Sequence, residues 1–234
     1  MGLVTSIQLA LIGATIAAML LLFSWWKNKK FTFHRLVLLT LFFTFDLILF
    51  GAFTRLTDSG LGCPDWPGCY GVSNPLVALN HIRAAEAVMP TGPVTLSKAW
   101  IEMLHRYFAM AVGLLLITML IWSWVQRRVL GVRIFSWSFL AFLMVCLQGA
   151  FGAWTVTLKL QPIIVTTHLM LGITFLSTLA YLSNLSGRAE ASVFLNQSNP
   201  IYAMNRSWVW IGIAALSVQI FLGAWVSTNY AVLA

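Results

Sequence analysis

IEMLHRYFAMAVGLLLITMLIWSWV, residues Ile101–Val125, decides the fold. From Phe108 to Val125 the stretch carries no charged side chain. A run of about 20 apolar residues is long enough to cross the hydrocarbon core of a membrane as a helix. A helix also satisfies every backbone N–H and C=O within one segment, which lipid demands. At the head of the run stand Glu102, His105 and Arg106, all costly to bury in lipid. A carboxylate, an imidazole and a guanidinium at a membrane edge call for a reason, chemical or interfacial.

The rest of the chain has the same character. Of its 234 residues, 60% are hydrophobic and 9% charged, against about 25% charged in soluble domains. The mean hydropathy is +0.87. The pattern predicts an all-α integral membrane protein with six spans, at roughly 3–25, 33–56, 100–126, 132–156, 162–184 and 207–229. The first run has no basic segment ahead of it and no clear small-residue cleavage site, so it reads as a span and not a signal peptide.

The net charge of +8 does not point to nucleic acid, because the basic residues lie in short loops where membrane orientation explains them. Lys27, Lys29, Lys30 and Arg35 fall between spans one and two, Arg127, Arg128 and Arg133 between three and four, and Arg188 and Arg206 between five and six. The positive-inside rule makes that side cytoplasmic. Arg55, Arg83, Lys98, Arg106 and Lys159 fall on the other side, with both termini.

One long loop, about 58–96, faces outward and is rich in Pro and Gly; long loops in compact proteins are functional or disordered. Within it, Leu79, Ile82, Ala85 and Met89 have helical spacing, which fits a short helix on the membrane surface or an irregular loop equally. Cys63 and Cys69 bracket CPDWPGC in the same loop; on an oxidising side they can pair, and two free thiols fit as well. Cys146 lies in a span and reads as a small apolar residue.

A short pattern recurs near the outer ends of three spans: Gln148-Gly-Ala-Phe-Gly-Ala-Trp154, Gln219-Ile-Phe-Leu-Gly-Ala-Trp225 and, more weakly, Phe50-Gly-Ala-Phe-Thr54. Close helix packing on small residues and duplication of a helical unit both account for it.

The four histidines divide by depth. His34 lies at the inner boundary and His81 in the outer loop. His105 and His168 lie on spans running in the same direction, each less than about 10 Å inside the outer boundary at a rise of 1.5 Å per residue. Such a pair fits a metal or haem iron, or hydrogen bonding between helices. A compact zinc site is disfavoured, because no cysteine or acidic cluster supplies the remaining ligands. Glu102 precedes His105 by three residues and shares its face, either beside whatever His105 binds or as a helix N-terminal charge. Arg55 and Arg106 lie at the same level, where cations pair with haem propionates or anchor the interface. Asp46, deep in the second span, is a functional candidate with no partner legible in the sequence.

Three stretches together, GAFTRLTDSGLGCPDWPGCYG (51–71), PTGPVTLSKAWIEMLHRY (90–107) and LQGAFGAWTVTLKLQPIIVTTHLMLG (147–172), closely resemble the haem A synthase family in its proteobacterial form. The resemblance covers roughly 40 to 230, and the first span looks like an extra N-terminal helix. It implies oxidation of the ring-D methyl group of haem O to a formyl group, which makes haem A for cytochrome c oxidase. It implies two tandem four-helix halves, the first holding the substrate haem and the second a haem b. On this chain that predicts an extra helix at 1–30, a first haem-binding half at 31–186 and, at 187–234, a linker and the first helix of an incomplete second half.

His105 and His168 match the first half's histidine pair and so the haem iron; Glu102 matches its essential carboxylate, and Cys63 and Cys69 its loop cysteines. Arg55 and Arg106 are the expected propionate holders. Gln in place of Glu102 is expected to disturb folding little and turnover strongly. The implied setting is a bacterial inner membrane with the site toward the periplasm. Candidate partners are the lipid bilayer, haem O and haem A, haem O synthase, cytochrome oxidase subunits and a second copy of the chain. The rival readings are a b-type bis-histidine electron-transfer subunit and a non-catalytic haem-handling assembly factor.

Overall fold

Lipid leaves the apolar runs little choice, and each forms a helix. A computed structural model describes residues 2–27, 31–194 and 206–229. Lys29 and Lys30, counted above toward the inner charge, and most of the linker between the last two spans lie outside the described residues. In chain order the elements are α1 (Gly2–Lys27), α2 (Phe33–Leu56), α3 (Leu79–Val88), α4 (Leu96–Val125), α5 (Arg127–Leu130), α6 (Val132–Thr157), α7 (Pro162–Phe194) and α8 (Arg206–Thr228). All but α3 and α5 are long and apolar enough to cross a membrane, giving six spans among the described residues. The chain is a multi-pass, all-helical membrane protein.

The span ends have local causes. The Thr32 hydroxyl accepts from the backbone N–H of Arg35 and starts α2; Thr95 accepts from Lys98 N–H and starts α4. That cap begins α4 four residues ahead of the apolar run, so Glu102 and His105 sit on a helix already established. Pro162, which has no N–H to lose, opens α7. At the inner turn Gly131 has φ 88°, a left-handed conformation that suits glycine, and the chain reverses there into α6. The helical alternative for the outer loop holds: α3 forms, with Ile82 fully buried beneath it.

Helices α2, α4, α6 and α7 close a ring in which α2 touches α4, α4 touches α6, α6 touches α7 and α7 touches α2. Leu36, Val37, Val112, Leu115, Leu116, Met119, Leu179 and Leu182 fill its inner half. Outside the ring, α1 lies on α4 and α8 on α7. Gly13 lets α1 approach closely, since a Cβ there would stand 2.7 Å from the Cβ of Met110.

A second cluster joins α1, α4 and the outer loop through Leu9, Cys63, Cys69, Ile82, Ala99 and Met103. Thr5 of α1 donates its hydroxyl to the Gly71 carbonyl at 2.7 Å, so the first helix also holds the loop. The outer surface of the spans is apolar, with Phe42, Leu49, Ile121, Leu143 and Leu222 exposed, because the solvent there is lipid.

Candidate functional site

The outer end of the ring brings His105 from α4 and His168 from α7 within electrostatic reach of each other. Both Nδ1 atoms are shut away from solvent and have no hydrogen-bond partner. The His105 ring stacks on Phe50 of α2, with centroids 6.1 Å apart and planes 19° from parallel. Its other neighbour is Gly51, where a Cβ would stand 3.1 Å from Cε1 of the imidazole. His168 meets Gly152 of α6 in the same way, at 3.6 Å. One turn below Gly152, Gln148 donates from Nε2 to the main-chain carbonyl of His168 at 3.1 Å.

Glu102 is buried on the same end of α4. One carboxylate oxygen accepts the backbone N–H of Cys63 at 2.8 Å, and the other pairs with the Arg106 guanidinium one turn along. Nη1 of Arg106 donates to the carbonyls of Asp65 (3.0 Å), Pro67 (3.1 Å) and Gly68. The pair thus ties α4 to the loop between the two cysteines, which are joined in a disulfide with Cα atoms 4.9 Å apart. Asp65 closes the turn by accepting the N–H groups of Tyr70 and Gly71, each at 2.6 Å. Burial, and then the Asp65 carboxylate, hold the Tyr70 phenol above the ordinary tyrosine range. Gly62 passes directly over α4, where a Cβ would stand 2.4 Å from the Lys98 carbonyl carbon.

Not all candidate residues converge. Arg55 donates to the Ser227 carbonyl on α8, joining the outer ends of those two helices. Asp46 is exposed on the outward face of α2, away from the ring interior. His34 is bonded through Nδ1 to Ser186 Oγ at 2.9 Å, and His81 stacks on Tyr70 with centroids 5.5 Å apart. Sequence reasoning missed the Cys63 N–H on Glu102 and the glycines against the two histidines. The glycines did leave a signal, the recurring Gly-Ala-aromatic pattern, which the sequence reading left between helix packing and duplication.

This donor set fits a haem. Two half-buried imidazoles with buried Nδ1 atoms stand on separate helices, and the adjoining helix presents a glycine to each ring edge. Among the described residues no cluster of three or more His, Cys, Asp or Glu offers a compact metal cage. Fold and site together define a helical-bundle membrane protein with two histidines at one end of the bundle.

Comparison with known proteins narrows the class. The chain belongs to the cytochrome oxidase assembly protein family COX15-CtaA, whose model matches residues 34–234. It is 40% identical over 201 residues to a heme A synthase of Shewanella oneidensis, covering 85% of this chain and 58% of that protein. It is 31% identical over 194 residues to a heme A synthase of Sphingopyxis alaskensis, covering 76% of this chain and 53% of that one. A heme A synthase of Exiguobacterium sibiricum matches over 157 residues at 30% identity, covering 65% of this chain and 46% of its own. The chain spans about half the length of the curated relatives it matches. No solved structure matches.

Proposed function

We propose that this chain carries the substrate-haem half of a haem A synthase, in which the ring-D methyl group of haem O is oxidised to a formyl group. The observation that supports this best is the pair His105 and His168, each with an unbonded buried Nδ1. Relatives named heme A synthase support the synthase reading, and the ring-D oxidation is what the sequence resemblance implies. In this reading residues 31–186 form the haem-holding half, and 187–234 are a linker and the opening helix of a second half, for which the resemblance implies haem b. The site faces the periplasm across a bacterial inner membrane, and haem O synthase and cytochrome oxidase subunits are the candidate partners.

When bound, the haem supplies both a redox-active iron and the methyl group to be oxidised. The chain's own residues do the rest. His105 on α4 and His168 on α7 would hold the iron. Phe50 stacks offset beside the His105 ring, adding an apolar wall to the site. Glu102 keeps a negative charge at the outer edge of the site, where it stabilises positive charge developing nearby in a low-dielectric setting. Both its oxygens are engaged, by Cys63 N–H and by Arg106, so a charge-stabilising role fits the geometry better than proton abstraction. Arg106, already bonded to Glu102 and the loop carbonyls, would add its charge to the field at a propionate; Arg55 would be a second cation, at the outer end of α2.

The test is a chimera in which these residues replace the matching part of the Shewanella enzyme, in cells that make haem O but no haem A. Extraction and chromatography of haems should show haem A. Bound haem O that is never converted, with the parent enzyme active, would instead favour the b-type electron-transfer reading.

A further inference from the structure

Metal-ligating histidines ordinarily donate their second ring N–H to a carboxylate, carbonyl or water, and that bond sets the ring orientation. Neither His105 nor His168 has a protein hydrogen bond at Nδ1, so no side chain or carbonyl fixes either ring from that atom. What meets each ring edge is a glycine on the adjoining helix: Gly51 on α2 for His105 and Gly152 on α6 for His168. Both open a Gly-Ala-aromatic triplet, Gly51-Ala52-Phe53 and Gly152-Ala153-Trp154, at the same outer level of their spans. The contact is not a general property of glycine in these helices. Gly149, three residues before Gly152 in the same pattern, and Gly113 in α4 have nothing within 4 Å of a Cβ position. His34 also lies against a glycine, Gly187, but its Nδ1 is bonded to Ser186, so its ring is held without one.

We propose that Gly51 and Gly152 are positioning residues that set the orientation of the two haem-ligating imidazoles by packing against the ring edges. The inference rests on the haem-binding reading above. It assigns the recurring pattern a role: each copy that meets a histidine provides the seat for the ring edge. The two seats differ in tightness. A methyl group at Gly51 would stand 3.1 Å from Cε1, closer than carbon atoms pack, so the His105 ring must move by a few tenths of an ångström. At Gly152 the distance is 3.6 Å, an ordinary contact. Gln148 adds to the second seat by holding the His168 carbonyl, which ties α7 to α6 at that level.

The graded series Gly51→Ala, Gly152→Ala and Gly152→Val tests this on the detergent-purified chain titrated with ferric haem, with Gly149→Ala as control. The readouts are the dissociation constant, the Soret band and the low-spin EPR signal, whose anisotropy reports the planes of the axial imidazoles. Gly51→Ala should weaken haem binding about tenfold, the scale of overpacking a tight contact, and shift the EPR signal. Gly152→Ala should shift it less, Gly152→Val more than Gly152→Ala, and Gly149→Ala should match the wild type. A Gly51→Ala protein with unchanged affinity and EPR signal overturns the proposal. If that variant does not fold, a Gly152→Val signal identical to the wild type overturns it equally. His105→Ala separates the two levels. Loss of the wild-type spectrum in His105→Ala, with the glycine variants unchanged, removes the seats and leaves the haem reading standing; an unchanged His105→Ala spectrum removes both.

Discussion

Glu102 carries the sharpest difference between what its type suggests and what its surroundings require. As a lone carboxylate near a membrane edge it tolerates Gln, which keeps its size and its acceptor oxygen. In the structure it is half of a buried ion pair, with Arg106 also supporting three loop carbonyls. Breaking a buried pair leaves an uncompensated charge. Glu102→Gln keeps an oxygen for the Cys63 N–H and leaves Arg106 its carbonyls, so it should cost about 1–3 kcal/mol. Arg106→Ala strands the carboxylate and the carbonyls together and should cost about 3–5 kcal/mol. Thermal unfolding in detergent measures both, and the double variant should cost less than the sum because the two share one interaction. Additive losses would separate Glu102 from Arg106. The identity of the two residues was legible in IEMLHRY, but their shared task was not. It depends on a backbone N–H at Cys63, 39 residues away in sequence.

At the scale of elements, the outer loop is the part whose form was left open. Its helical spacing at Leu79, Ile82 and Ala85 fitted a helix or a coil, and burial of Ile82 under the loop decided for α3. The disulfide closes a short segment of that loop, and the chain-entropy estimate for so small a ring is about 2 kcal/mol. Alkylation of the membrane-embedded protein should label neither Cys63 nor Cys69 until a reductant is added, with mass mapping as the readout. Two labels without reductant would remove the bond. Cys63→Ser should loosen the loop, seen as faster proteolysis there, while the spans keep their helicity. The ring of α2, α4, α6 and α7 is packed on its own core and does not depend on the loop.

For the whole molecule the open quantity is orientation. Lys27, Arg35, Arg127, Arg128, Arg133 and Arg188 gather at one end of the described spans, and α3 with the disulfide loop lies at the other. The positive-inside rule predicts that the loop and both histidines face away from the cytoplasm. Single cysteines introduced at Val88 in the outer loop and Val129 at the inner turn, both highly exposed, check this in a Cys146→Ser background. A membrane-impermeant thiol reagent should label position 88 in cells with a permeabilised outer membrane and intact inner membrane. Position 129 should label only after the inner membrane is opened. The reverse pattern would invert the topology and place both histidines toward the cytoplasm.

Number, length and order of the spans were determined by the sequence alone, because lipid forces every apolar run of sufficient length to satisfy its backbone internally. The common depth of His105 and His168 followed from the same rule, since helix rise converts residue count into distance. Which way each helix faces was decided only by the tertiary structure. Spans surrounded by lipid are apolar on every side, so no polar face records their rotation about the axis. Asp46 therefore could not be placed until α2 turned it outward, and Gly51 could not be told from Gly149 until His105 was packed against it. Long-range contacts closed the rest: the loop is fastened to α4 by Glu102 and Arg106, and to α1 by Thr5, across separations that local pattern does not encode.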